Sequence, residues 1–316
     1  MPADNPRMHL LIPFASALSD AGLHTLRDLD LPHLTRLLTR LQASERLGTD
    51  EYSFTPPHES ALAAARGWQG SEGALPFAAH AAALDGVEVL DLAWGLLTPV
   101  HWHVGRDQVT LGDPAVLGLD AAASRALFEA VRDLFESEGF ALAWGAPLRW
   151  YAAHESLVEL PCASPDRVIG RNVDRWMPAH PQARLVRRLQ SEVQMLLYPH
   201  AVNEAREARG QLSVNSFWLS GCGRFQAADA DAVQVHDSLR APLLADDWAA
   251  WAEAWRALDA GALADALARL QRGEPVAVTL CGERFAARFE SVPRTLWQRL
   301  GARWQAPTPA AVLESL

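Results

Sequence analysis

The chain contains no lysine: all 28 of its basic side chains are arginine. Schiff-base chemistry and a phosphate-loop lysine are thereby excluded. Any anion must be met by the planar, permanently charged guanidinium or by backbone N–H groups. Cysteine is scarce. Cys162, Cys222 and Cys281 sit far apart with no CxxC pair, which argues against a disulfide framework and a zinc–cysteine site. No segment approaches the ~18 consecutive apolar residues of a membrane span. The apolar run 10–12, after a polar start, is too short for a signal core. These absences lead us to expect a soluble, cytoplasmic protein with no membrane partner. No GxSxG serine motif occurs. Acidic residues outnumber basic ones, 38 to 28, giving a formal net charge of −10. Nucleic acid is therefore not an expected partner unless a basic face is segregated.

What is present suffices for a large core: 49% of the 316 residues are hydrophobic, and twelve are tryptophan. A buried strand is expected over 8–12, ended by Pro13. Helical periodicity covers 23–41, with Pro32 marking a start or break. An alanine-rich helix follows at 59–66, and a glycine loop at 67–73. Strands are expected at 87–92, 102–104, 109–111, 140–144, 150–152 and 158–160. A helix at 120–138 presents Leu127, Val131, Leu134 and Phe135 on one face before Gly139. Further helices are expected at 185–197, 202–209, 248–258, 262–270 and 297–304, and strands at 214–219, 276–280 and 285–289. Strands and helices alternate at both ends, which indicates an α/β protein. The hairpin-rich stretch 87–160 reads as a smaller inserted antiparallel subdomain within one domain spanning 7–316. No internal repeat or low-complexity linker marks a boundary.

Three motifs could carry chemistry. Ser220-Gly221-Cys222-Gly223 follows a strand, where glycines can let backbone N–H groups face an anion. The third glycine of a dinucleotide fingerprint is replaced by Gln226, so the loop is either a plain turn or an anion-facing one. His101 and His103 fall on one face of a strand and are weak metal-ligand candidates, without an obvious acidic residue to complete the set. A basic region gathers Arg167, Arg171, Arg184, Arg187, Arg188, Arg206 and Arg209. It is either a solvated face paired with Glu192, Glu204 and Glu207 or a pocket for phosphate or carboxylate.

The run from His200 through Asn203, Arg206 and Gly210 to Asn215, Trp218, Gly221 and Gly223 resembles a segment of archaeal-type cofactor-independent phosphoglycerate mutases, in the alkaline phosphatase superfamily. Residues 164–170 are similar to that family's PPHDIxGK stretch, 10–20 to its opening strand, and 29–37 to its first helix. The chain also resembles bacterial regulatory proteins of the RpfE type. The resemblance implies an alkaline-phosphatase-like central sheet flanked by helices.

The family's activity implies two divalent metal ions on Asp and His ligands, plus a phosphoryl-carrying serine. Here the opening-strand aspartate position holds Phe14, and the His-Asp pair falls on Pro165-Asp166. The late Asp-His strand falls on 279–284, which lacks both residues. No nucleophile motif of the family's kind follows the first helix. The resemblance therefore implies a regulatory pseudoenzyme without catalytic residues or cofactor. It would bind an anionic small molecule or a protein through Arg171, His200, Asn203, Arg206, Asn215, Gly221 and Gly223. Two alternatives stay open. One is an active metal-dependent mutase or phosphohydrolase with atypical ligands drawn from Asp20, His24, His80, His101, His103, Asp166, His236 and Asp237. The other is a pure interaction module using Trp248, Trp251 and Trp255.

Overall fold

The computed structural model describes residues 8–177, 180–228, 233–292 and 307–316. The helix expected at 297–304 lies outside them. In chain order the elements are β1 (Met8–Ile12), α1 (Asp20–Arg27), α2 (Pro32–Arg40), β2 (Gln42–Gly48), α3 (Pro57–Ala65), α4 (Phe77–Leu84), β3 (Ala93–Val100), β4 (Trp102–Val104) and β5 (Val109–Leu111). There follow α5 (Ala121–Glu136), β6 (Ala141–Ala146), β7 (Arg149–Ala153), α6 (Pro165–Val168), α7 (Ala183–Leu197), α8 (Ala201–Glu207), β8 (Ser216–Arg224) and β9 (Val233–Val235). The last are α9 (Arg240–Leu244), α10 (Trp248–Leu258), α11 (Ala264–Gln271), β10 (Val276–Cys281), β11 (Phe285–Glu290) and α12 (Pro309–Glu314). The protein is of the mixed α/β class expected from its alternating pattern, with sheets flanked by helices and an antiparallel region.

The chain divides into two compact units. The first comprises the described residues among 1–51, 56–67 and 229–316. Its five-stranded sheet has the order β2-β11-β10-β1-β9. β1 runs parallel to both β10 and β9, with Leu10 opposite Val278 and Gln234. Near-continuous apolar runs suit strands covered on both faces; MHLLI and VAVTLC are such runs, broken only by His9 and Thr279, which bond each other at 2.8 Å. β2 is polar and largely exposed, an edge strand whose Glu45 and Arg46 discourage further pairing. Leu34, Leu37 and Leu38 of α2 turn one stripe into the core. They share a cluster with Leu10, Ile12, Val278 and the α10 tryptophans 251 and 255. The tryptophans proposed as an exposed interaction patch are thus core: Trp251 and Trp255 are fully buried, and Trp248 packs against them. α10 and α11 join through a π turn at Asp259–Leu263.

The second unit comprises 52–55 and 68–228 and contains the stretch 87–160. Its sheet is wholly antiparallel, in the order β6-β7-β3-β8, with β4 and β5 forming a separate hairpin. Leu127, Phe128, Val131 and Phe135 of α5 and Val186, Leu189 and Val193 of α7 pack on Leu97, Trp150 and Phe217 of the sheet. Ala78, Ala79 and Ala82 of α4 instead meet Trp94, Tyr151 and Ala153.

Several local expectations are corrected. Residues 87–92 form no strand, and pairing begins at Ala93. Residues 158–160 form no strand: they follow a 3-10 turn at Glu155–Leu157. The strand expected at 214–219 runs from Ser216 to Arg224, so Ser220-Gly221-Cys222-Gly223 is strand and not loop.

Candidate functional site

In the first unit, β1, β9 and β10 end on the same side of the sheet, with β1 between its two parallel partners. The crevice outside such carboxyl ends is where open α/β sheets receive ligands. Phe14 emerges there with φ of 56°, a left-handed conformation uncommon for a residue other than glycine. Its carbonyl accepts a 3.1 Å bond from Trp251 Nε1, and its ring lies 5.1 Å from that of His58. Ala15 donates its N–H to the Cys281 carbonyl at 2.8 Å. Glu283 Oε1 accepts from the Leu18 N–H at 3.0 Å, and the His236 N–H bonds the Leu11 carbonyl at 2.9 Å. A metal-dependent phosphoryl transfer would require oxygen and imidazole donors converging here. Phe14 offers only carbon, and Glu283 binds backbone. Among the described residues no group of three or more His, Cys, Asp or Glu side chains could hold a metal ion. At this end of the sheet Phe14 supplies no ligand atom, and Glu283 Oε1 is engaged by a backbone N–H.

The residues expected to grip an anion lie in the second unit. His200 caps α8, its Nδ1 accepting from the Val202 N–H at 3.2 Å. Asn203, 1% exposed, donates from Nδ2 to the carbonyls of Leu197 and Val214, and its Oδ1 accepts from the Val214 N–H, each at 2.8 Å. Arg206, 2% exposed, donates from Nε to the Leu212 carbonyl at 2.8 Å and from Nη2 to the Leu117 carbonyl at 2.5 Å. Burial, and secondarily Arg209, lower its proton affinity, but a guanidinium remains charged. Asn215 accepts from the Trp102 N–H at 2.7 Å and donates to the Trp102 carbonyl at 3.0 Å, imitating a strand partner. Arg171 places its guanidinium 5.8 Å from the Trp176 ring centroid.

Gly221 and Gly223 stand near the far end of β8, roughly 20 and 26 Å along the strand from Asn215 at ~3.3 Å per residue. A Cβ at Gly221 would come 2.9 Å from the Ala78 nitrogen, so this glycine admits the start of α4. The structure thus groups His200, Asn203 and Arg206 on one short helix with Asn215 downstream, and separates the two glycines from them. Their roles here are capping, bracing and close packing. Sequence reasoning identified Phe14 but missed His58 against it and the commitment of Glu283.

His101 and His103 do come together: their ring centroids are 4.6 Å apart. His101 Nδ1 bonds the Ser213 carbonyl at 2.8 Å. Partial burial, then the His101 charge, lower the proton affinity of His103.

No protein-family model matches this chain, and no curated protein matches it. Solved structures do resemble it. The cofactor-independent phosphoglycerate mutase from Thermoplasma acidophilum DSM 1728 is 14% identical, covering 92% of this chain and 91% of that one at a TM-score of 0.36. The PH0037 protein from Pyrococcus horikoshii is 12% identical, covering 90% and 87% at a TM-score of 0.40.

Proposed function

We propose that this chain is a phosphoglycerate-mutase-like protein that works by binding, not turnover, in a regulatory role. The observation carrying this reading is the end of β1. The position that a metal-holding aspartate takes in the family the sequence resembles is a left-handed Phe14 packed on His58. The neighbouring carboxylate of Glu283 is occupied by a backbone N–H. Of the two ligand classes expected, the geometry favours a protein. Asn203 and Arg206, the side chains best suited to an anion, are buried and bonded to carbonyl oxygens. Just before them, Met195, Leu196 and Tyr198 expose apolar surface, a feature of partner-binding faces more than of anion sites.

The test is isomerisation of 2- and 3-phosphoglycerate with saturating Mn²⁺ or Mg²⁺, alongside thermal shift with 3-phosphoglycerate. Neither turnover nor a shift in Tm is expected. Turnover would establish the mutase reading instead. A saturable shift abolished by Arg171→Ala would restore the anionic ligand.

A further inference from the structure

The β4–β5 hairpin carries a pair of imidazoles that the proposed binding role does not use. Strand alternation sends His101 and His103 to one side and Trp102 to the other, where its ring lies 6.5 Å from that of Trp218 in a buried cluster. The backbone between the histidines is fixed on several sides. Trp102 is held through both its N–H and its carbonyl by the Asn215 amide. The Gly112 N–H bonds the His101 carbonyl at 3.0 Å, and His103 pairs with Thr110 in the hairpin. A Cβ at Gly112 would stand 3.1 Å from His103 Nε2, so glycine leaves this ring its space.

The tautomer of His101 is set by its neighbour. A carbonyl can only accept, so the 2.8 Å contact with Ser213 puts the proton on Nδ1 and leaves the Nε2 lone pair available. A carbonyl behind the ligating ring is the usual outer partner of a metal-bound histidine. The rings lie 4.6 Å apart at an interplanar angle of 69°, close enough for one nitrogen of each to reach a common ion.

We propose that His101 and His103 form a two-imidazole chelate for a divalent transition-metal ion of the Cu²⁺, Ni²⁺ or Zn²⁺ class, with water completing the coordination. Imidazole selects these ions over the oxygen-preferring Mg²⁺ and Ca²⁺, and Cu²⁺ binds most tightly of the three. The inference does not rest on the role assigned above, since it is argued from the two imidazoles alone.

Calorimetric titration of the metal-free full-length protein with CuCl₂, NiCl₂ or ZnCl₂ near neutral pH tests it. One equivalent should bind, and His101→Ala and His103→Ala should each weaken binding at least about tenfold. The exposed His24→Ala should leave it unchanged. Cu²⁺ electron paramagnetic resonance should show coupling to two nitrogens, reduced to one in either single variant, with each variant's fold verified by its Tm. No one-equivalent binding up to millimolar metal, or binding that survives His103→Ala, would overturn the assignment.

Discussion

Ser124 is fully buried in α5 and serves three partners. It donates to the Pro147 carbonyl at 2.9 Å and accepts from the indole N–H groups of Trp144 at 3.0 Å and Trp150 at 2.9 Å. Ser124→Ala strands the buried Trp150 donor, while Trp144 is partly exposed and can recover water. An orphaned buried donor costs about 1–3 kcal/mol, so we expect a stability loss of about 2 kcal/mol, measured by urea unfolding with an unchanged m-value. The same reasoning separates Arg206 from Arg209. Arg206→Ala removes a buried cation from two carbonyls and should cost about 3 kcal/mol. Arg209→Ala, at an exposed position, should stay within about 0.5 kcal/mol. The sequence marks Arg206 and Asn203 as anion-facing, whereas in the structure both donate to carbonyl oxygens. A guanidinium matches phosphate and carbonyl oxygen alike, and only the fold brings Leu117 and Leu212 to its two sides. His101 and His103 were legible because strand period alone places them together.

At the scale of elements, α2 lacks a capping side chain of its own: Leu31 precedes it. The cap comes from far along the chain, where Asp259 in the π turn accepts from the His33 N–H at 3.1 Å and the Leu34 N–H at 2.8 Å. Asp259→Ala should cost about 2 kcal/mol, the upper range for a lost N-cap, and Asp259→Asn clearly less, measured by thermal unfolding. Such a cap is invisible to local reading. So are β2, whose polar residues become strand only by pairing with β11, and α4, whose alanines give no amphipathic period. The strongly periodic α5 and α7 and the apolar β1 and β10 were readable because burial dictates their pattern. The β4–β5 hairpin adds a pH dependence. His103 binds its proton less readily when folded than its ordinary value of 6.5, through partial burial and then His101. As pH falls below 6.5 the unfolded chain takes up the proton first, so stability is greatest above that value and declines toward the lowered folded one. Unfolding free energies between pH 5 and 8 should therefore fall more steeply on acidification for the native chain than for His103→Gln.

For the whole molecule, the absence of lysine shapes how charge is housed. Guanidinium groups lie 3.7 Å from the Trp144 ring centroid (Arg125), 3.7 Å from that of Tyr52 (Arg175) and 4.2 Å from that of Phe285 (Arg46). A flat cation can stack in this way where an ammonium cannot. Each compact unit also has its own apolar core, one around Leu37, Trp251 and Val278, the other around Leu127, Leu189 and Phe217. The boundary was not legible because no linker composition marks it. The chain passes between units near residues 51–56, 67 and 228, within ordinary loop sequence. Separate cores predict separate cooperativity, because a cavity lowers the stability of the unit whose contacts it removes. Calorimetry should resolve two transitions. Leu189→Ala, at a fully buried position of α7, should lower one of them, and Leu37→Ala, equally buried in α2, the other, each costing about 2–5 kcal/mol. A single transition displaced equally by both substitutions would show that the two cores melt as one.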